Sequence, residues 1–149
     1  MVKHLWSLIC ARALLDVETH NVSLIDVVEE IRITMRRPTE GESIPFVPRL
    51  DWVTTWVHEG PKDESGCVVR DKVVSPSGEI VWEGPTSELD VSQTRIRVKR
   101  QVPRFSLKQS GRYTFITEAK LGRGQTWKQS AAVPLDIWIS YSPPSGDPT

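Results

Sequence analysis

A strict two-residue alternation runs through residues 94–100, which read TRIRVKR. Side chains along an extended strand point alternately to its two faces. Ile96 and Val98 therefore share one face, while Arg95, Arg97 and Lys99 share the other. This pattern is typical of a strand with one buried and one solvated face, and it favours an all-β fold.

Similar segments lie on both sides of this stretch, separated by Gly/Pro turns. They cover residues 3–13, 50–59, 67–74, 79–83, 112–121 and 127–141. Residues 22–34 allow two interpretations. Ser23 and Asp26 could form a capping box that begins a helix, but a high share of β-branched side chains favours a strand, which we prefer. Residues 35–49 contain several prolines and a glycine, so we expect an irregular loop that crosses between sheets.

The spacing of these segments predicts an antiparallel β-sandwich of about eight strands, in a single domain over residues 1–142. A small barrel is the alternative architecture. Residues 143–149 are rich in Pro, Gly and Ser, and we expect them to form a disordered tail.

Composition narrows the class of protein. With 149 residues, 38% hydrophobic and 26% charged, the chain resembles an ordinary globular domain. Its formal net charge is zero, which makes nucleic acid an unlikely partner and gives no reason to expect an anionic membrane. No segment approaches the length of a membrane span. Cys10 and Cys67 have no metal-like spacing, so we expect two buried free thiols in a reducing cytoplasm. A disulfide between them is the alternative.

Local signatures of catalysis are missing from the sequence. It has no phosphate-binding loop and no Gly-x-Ser-x-Gly motif. His58-Glu59 is followed by Gly60-Pro61, which prevents a helical metalloprotease motif. We therefore predict a protein that is not an enzyme and needs no cofactor. An enzyme whose catalytic residues are dispersed along the chain remains an alternative, because such sites leave no local motif.

Asp16, Glu18 and His20 alternate in sequence. In an extended segment they would lie on one side and could bind a divalent metal. A solvated turn is the preferred interpretation, so we predict no metal site and treat these side chains as a binding surface.

Tryptophans offer another kind of surface. Trp52 and Trp56 share a face of one predicted strand and could stack on sugar rings or anchor a partner, although core packing is the stronger expectation. Trp138 lies on the face opposite Val133 and Leu135 and is the better candidate for exposure.

Charge is segregated along the chain. Between residues 12 and 32 there are acids and no Lys or Arg, whereas between residues 90 and 118 there are cations and no acid. We expect the two segments to neutralise each other, as neighbouring strands or across an interface between two copies. Arg95, Arg97 and Lys99 then become candidate binding residues.

A resemblance extends over most of the chain. Residues 10–31, CARALLDVETHNVSLIDVVEEI, resemble the start of a family of small bacterial proteins of unknown function. A Pro-Ser-Gly turn at residues 76–78, a Gly-x-Tyr segment at residue 111 and a Val-Pro-Leu segment at residue 133 are similar too. The resemblance implies a bacterial, cytoplasmic β-sandwich, and it transfers no catalytic residue.

These observations predict a protein-interaction or assembly module whose partner is another protein or a second copy of the chain. An edge strand, Trp138 and the acidic turn would contact that partner. Carbohydrate or small-ligand binding is the main alternative.

Overall fold

A computed structural model describes residues 1–61, 66–122 and 124–143. Its twelve strands are β1 (Val2–Leu15), β2 (Val22–Val27), β3 (Glu30–Met35), β4 (Ile44–Phe46), β5 (Asp51–His58), β6 (Cys67–Val74), β7 (Ile80–Glu83), β8 (Ser87–Glu88), β9 (Arg95–Gln101), β10 (Phe105–Leu107), β11 (Gly111–Leu121) and β12 (Lys128–Tyr141). The predicted tail lies outside the described residues from residue 144 onward. Among the described residues, none belongs to a helix with the length and hydropathy required to cross a bilayer.

The strands form three sheets. The first has the order β2-β1-β5-β9, and the second has the order β3-β12-β11-β6-β7, with β8 also paired to β6. The third is the short pair β10-β4. The all-β class is therefore confirmed, and none of these sheets closes on itself within the described ranges. Twelve strands replace the eight predicted, because three strands of two or three residues were not recognised and one predicted segment is divided in two.

The divided segment is residues 22–34, for which the structure confirms strand rather than helix but as two strands separated by residues 28 and 29. β2 pairs with β1 in the first sheet, and β3 pairs in parallel with β12 in the second. Between them, Val28 donates its N–H to Ile9 O at 2.8 Å, and Glu29 O accepts the N–H of Asp136 at 3.0 Å. The chain thus crosses from one sheet to the other at residues 28 and 29.

The main hydrophobic core is shared by the two large sheets. Ile9 and Trp52 contribute from the first sheet, and Phe115 and Leu135 contribute from the second. Trp52 and Phe115 meet edge to face at 5.2 Å between ring centroids, a favourable aromatic geometry. This shared core fixes the separation of β1 and β12, which determines the shape of the site described below.

Strand β5 is buried on both faces, because the β1–β2 hairpin covers the face that does not point into the main core. Val53 packs there with Cys10 and Ala13 in a second apolar cluster. Asp51 accepts the N–H of Ala13 at 2.7 Å, and Lys99 donates to Ala13 O at 3.0 Å. These contacts fasten the hairpin across the sheet.

Candidate functional site

One edge of β1 is only half paired. Strand β5 pairs with residues 2–10, but β2 covers the opposite edge only from Cys10 to Leu15. Ile9 O accepts the Val28 N–H on this second edge. The N–H and C=O groups of successive residues point to opposite edges of a strand. Ser7 therefore directs its N–H and C=O to the same edge as Ile9 O. Within the described residues, neither Ser7 group has a backbone partner.

Strand β12 has a similar half-paired edge, but a proline interrupts it. Pro134 lies opposite Thr114 in the β11 ladder. A residue without an N–H cannot exchange both hydrogen bonds with its neighbour, so the Pro134 nitrogen points away from β11. Asp136 directs its N–H the same way, to Glu29 O. The open edge of β12 is therefore a poor template for another strand.

A cleft of about 420 Å³ lies between these two edges. Its lining residues are Ser7, Leu8, Ile9, Val27, Val28, Glu29, Arg112, Ala132, Val133, Pro134 and Asp136. Most of these side chains are apolar, and Val27 is 55% exposed. At the polar end, Arg112 forms a bidentate pair with Asp136 at 2.8 and 3.0 Å. That pair lowers the pKa of the Asp136 carboxyl through its hydrogen bonds. The cleft thus combines an apolar wall, an open strand edge and a charge pair.

Ser7 also contacts a histidine. Its Oγ lies 2.7 Å from His4 Nε2, across the bulge between His4 and Trp6. Burial lowers the pKa of His4, and a hydrogen bond with the Trp6 backbone opposes the shift. A neutral imidazole beside a hydroxyl is the minimal geometry for general-base activation of a nucleophile. No motif in the sequence indicated this pair.

The predicted tryptophan sites separate into two groups. Trp52 is 2% exposed and Trp56 is 1% exposed, so both pack in the core and neither ring is available to a ligand. Trp138 is 48% exposed and lies beside Arg32 in the β12–β3 ladder. The face opposite Trp138 carries the buried Leu135 and Ile137, as the alternation predicted.

Asp16, Glu18 and His20 lie on an exposed turn rather than an extended segment. The Asp16 carboxylate accepts the N–H groups of Glu18 and Thr19 at 2.9 and 2.7 Å, so it organises the turn. Hydrogen bonds with Thr19 are the largest cause of its lowered pKa. In the part of the chain that the structure describes, no group of three His, Cys, Asp or Glu side chains has the arrangement of a metal site.

The basic strand does lie near the acidic hairpin. Arg97 donates to His20 O, and Lys99 Nζ lies 3.7 Å from Asp51. Arg97 and Lys99 therefore contact backbone carbonyls and one β5 carboxylate, and in the described ranges no ion pair joins them to the acids of residues 16–30. Together with Arg95, Arg97 lines a small notch beside the turn. Both cysteines are buried and free, and burial raises the pKa of Cys67 to about 11.

Sequence reasoning missed the cleft. Its residues belong to segments correctly recognised as strands, but a strand's free edge depends on which neighbours pair with it and where pairing stops. The signal that was present is Pro134, because proline within a strand is largely restricted to edges. Comparison with known proteins gives no matching family model and no significant match to a curated protein.

Proposed function

We propose that this chain is a non-enzymatic protein-interaction module that binds an extended segment of a partner protein beside β1. The two large sheets would be the layers of a β-sandwich. The proposal includes a cytoplasmic location, which the two free thiols support. It also includes kinship with the small bacterial proteins of unknown function. The observation that carries the function is the unpaired backbone of Ser7 at the mouth of an apolar cleft.

Backbone chemistry favours a peptide as the ligand. A free strand edge offers a donor and an acceptor at two-residue spacing, which another extended chain complements. A sugar is less well matched, because the described lining of the cleft contains no aromatic ring on which a sugar could stack. Alternate side chains of a bound strand would enter the cleft, where Leu8, Val27 and Val133 present apolar surface.

The open edges of β1 and β12 also indicate which strand the bound partner segment pairs with. Pro134 disfavours pairing with β12, so the bound strand pairs with β1 in the position that β2 leaves when it crosses to the second sheet. A second copy is a poorer occupant than a flexible segment. The open part of β1 is short, interrupted by a bulge, and bounded by β12 across the cleft.

Hydrogen bonds alone do not account for useful affinity. The Ile9 N–H lies on the same edge and has no backbone partner within the described residues. Pairing with it and with the Ser7 N–H and C=O supplies about 3 kcal/mol, at about 1 kcal/mol net each. Micromolar binding requires about 8 kcal/mol. The remaining ~5 kcal/mol corresponds to on the order of 200 Å² of buried apolar surface, before the cost of association is added. The partner segment must therefore carry large apolar side chains at alternate positions.

A displayed library of random dodecapeptides, panned against the purified chain, tests the proposal. Enriched peptides should show apolar residues at every second position, and their affinity is then measured by titration calorimetry. Ser7→Pro removes the edge N–H without removing a bond to β5, and Val27→Lys places a charge at the cleft. Both changes should weaken binding at least tenfold.

The matched control is Val17→Lys, because Val17 is 89% exposed on the hairpin turn and lies outside the cleft lining. It should bind the peptides like the unmodified chain. If Ser7→Pro does not fold, the peptide affinity of Val27→Lys, a change at an exposed position, tests the proposal by itself. Failure of any alternating peptide to enrich, or equal binding by Val27→Lys, would refute the proposal.

The Ser7–His4 contact supports a second candidate, a serine hydrolase. If the Trp6 backbone holds Nδ1–H of His4, then Nε2 accepts the Ser7 proton. Ser7 Oγ could then attack an acyl carbon in the cleft and form an acyl-serine ester, while the bond to the leaving group breaks and His4 passes the proton to that group. A fluorophosphonate probe distinguishes the candidates. Covalent labelling of Ser7 that disappears in His4→Gln would favour the hydrolase, whereas no mass increase on Ser7 favours the binding module.

A further inference from the structure

A notch of about 120 Å³ lies between the turn of the β1–β2 hairpin and the start of β9. Its lining residues are Leu15, Asp16, His20, Gln93, Arg95 and Arg97. Four of these side chains carry N–H donors. The donors come from two segments far apart in sequence, so the notch exists only when the hairpin is folded over the first sheet.

The carboxylate in the notch is already engaged. Asp16 Oδ1 accepts two backbone N–H groups of its own turn, and the described residues show no ion pair between Asp16 and Arg95 or Arg97. The two arginines and Asp16 sum to a formal charge of +1 before His20 is counted. The electrostatic environment therefore favours an anion.

Arg97 has unused hydrogen-bonding capacity. It donates through Nη1 to His20 O, but its Nε is buried and has no partner in the described structure. Thr55 lies directly opposite Arg97 in the β5–β9 ladder, and its Oγ1 is also buried without a partner. Because both atoms are buried, a ligand in the notch would contact the remaining guanidinium nitrogens of Arg97 rather than Nε.

We propose that this notch, which we call the oxyanion notch, binds phosphate. Arginine forks match the oxygens of phosphate and carboxylate. A tetrahedral ion presents oxygens in several directions, whereas a carboxylate presents two in one plane. Donors from both a turn and a strand line the notch, and we infer that this arrangement suits phosphate better. The small volume admits the anionic group and leaves the rest of any larger ligand outside.

Titration with inorganic phosphate at constant ionic strength, followed by ¹H–¹⁵N spectra of the full chain, tests the proposal. Amide shifts should saturate and concentrate at residues 15–21 and 93–97. Arg95→Gln, at an exposed position, should lower the phosphate affinity at least tenfold. Arg104→Gln is the matched control, because Arg104 is exposed and lies outside the notch, and its affinity should stay within twofold of the unmodified chain.

Acetate and O-phosphoserine complete the experiment. Acetate should bind at least tenfold more weakly than phosphate, and equal binding would overturn the choice of a tetrahedral ion. Tighter binding of O-phosphoserine would show that the site takes a phosphate monoester, and weaker binding would show that it takes the free ion. Shifts that do not saturate, that spread over the surface, or that persist unchanged in Arg95→Gln would refute the site. These outcomes do not depend on the β1 cleft.

Discussion

Asp51→Ala should loosen the hairpin that covers β5. Asp51 is 8% exposed, and its Oδ2 accepts the Ala13 N–H at 2.7 Å. The same oxygen lies 3.7 Å from Lys99 Nζ, which also donates to Ala13 O at 3.0 Å. Removal of the carboxylate leaves a buried backbone N–H without its acceptor and a lysine without its counter-charge.

The expected loss follows from these contacts. A hydrogen bond to a charged acceptor contributes about 1.5–3 kcal/mol, and an unsatisfied buried donor costs about 1–3 kcal/mol. The two quantities overlap, so Asp51→Ala should lower the free energy of unfolding by about 2–4 kcal/mol. The Lys99 side chain is 39% exposed, so its ion pair adds less than about 1 kcal/mol. Asp51→Asn keeps an acceptor and should lose about half as much.

Urea unfolding followed by circular dichroism measures the difference. Asp90→Ala is the control, because Asp90 is exposed and bonds only near neighbours in the described structure, and it should change the free energy of unfolding by no more than about 1 kcal/mol. A loss for Asp51→Ala as small as that of the control would show that the carboxylate does not fasten the hairpin.

Three further predictions concern ionisable groups that are partly or fully buried. Asp71 is 3% exposed, lies 3.0 Å from Arg100 Nε and accepts a hydrogen bond from Thr117 Oγ1 at 2.6 Å. Asp71→Leu or Arg100→Met alone should lower the free energy of unfolding in urea by about 3–5 kcal/mol. The double variant should recover only part of this loss, because Thr117 still lacks its acceptor. Additive losses would contradict that view. Burial lowers the pKa of His4, so between that pKa and 6.5 the unfolded chain binds more protons than the folded chain. The free energy of unfolding should therefore fall as the pH drops through this interval. The fall should be shallower in His4→Gln. A thiol reagent at pH 8 should label neither Cys10 nor Cys67 until the protein unfolds, because burial raises both thiol pKa values. Rapid labelling of the native chain would be inconsistent with the burial of the two thiols.

Strand positions were largely predictable, because side-chain alternation reports local backbone conformation. Residues 67–74 match β6 at both ends, and residues 94–100 differ from β9 by one residue at each end. β4 and β10 were missed because three residues are too few to show a period, and Pro45 in β4 reads as a turn residue. The crossing at residues 28 and 29 was not recognised either. The chain bends at Glu29 after a φ of 51° at Asp26, and no glycine or proline in residues 22–34 indicates the change of sheet.

The site was less predictable than the fold. Ser7 and Val133 belong to recognised strands, yet the cleft between them depends on where β2 and β3 stop pairing. The proximity of Arg97 to His20 likewise depends on the hairpin folding over β5. Such features follow from long-range pairing, which a local pattern does not encode. The burial of Trp52 was the stronger expectation for that residue because large aromatic side chains usually pack in cores.

Amide hydrogen exchange measures directly whether the outer edge of β1 is open. Trp6 and Leu8 direct their N–H groups to β5, whereas Ser7 directs its own into the cleft. We expect slow exchange at Trp6 and Leu8 and fast exchange at Ser7, and exchange at Ser7 should become slow when a cleft-binding peptide is added. Equal protection of Ser7 and Leu8 in the free chain would contradict this expectation, because that edge would already be paired.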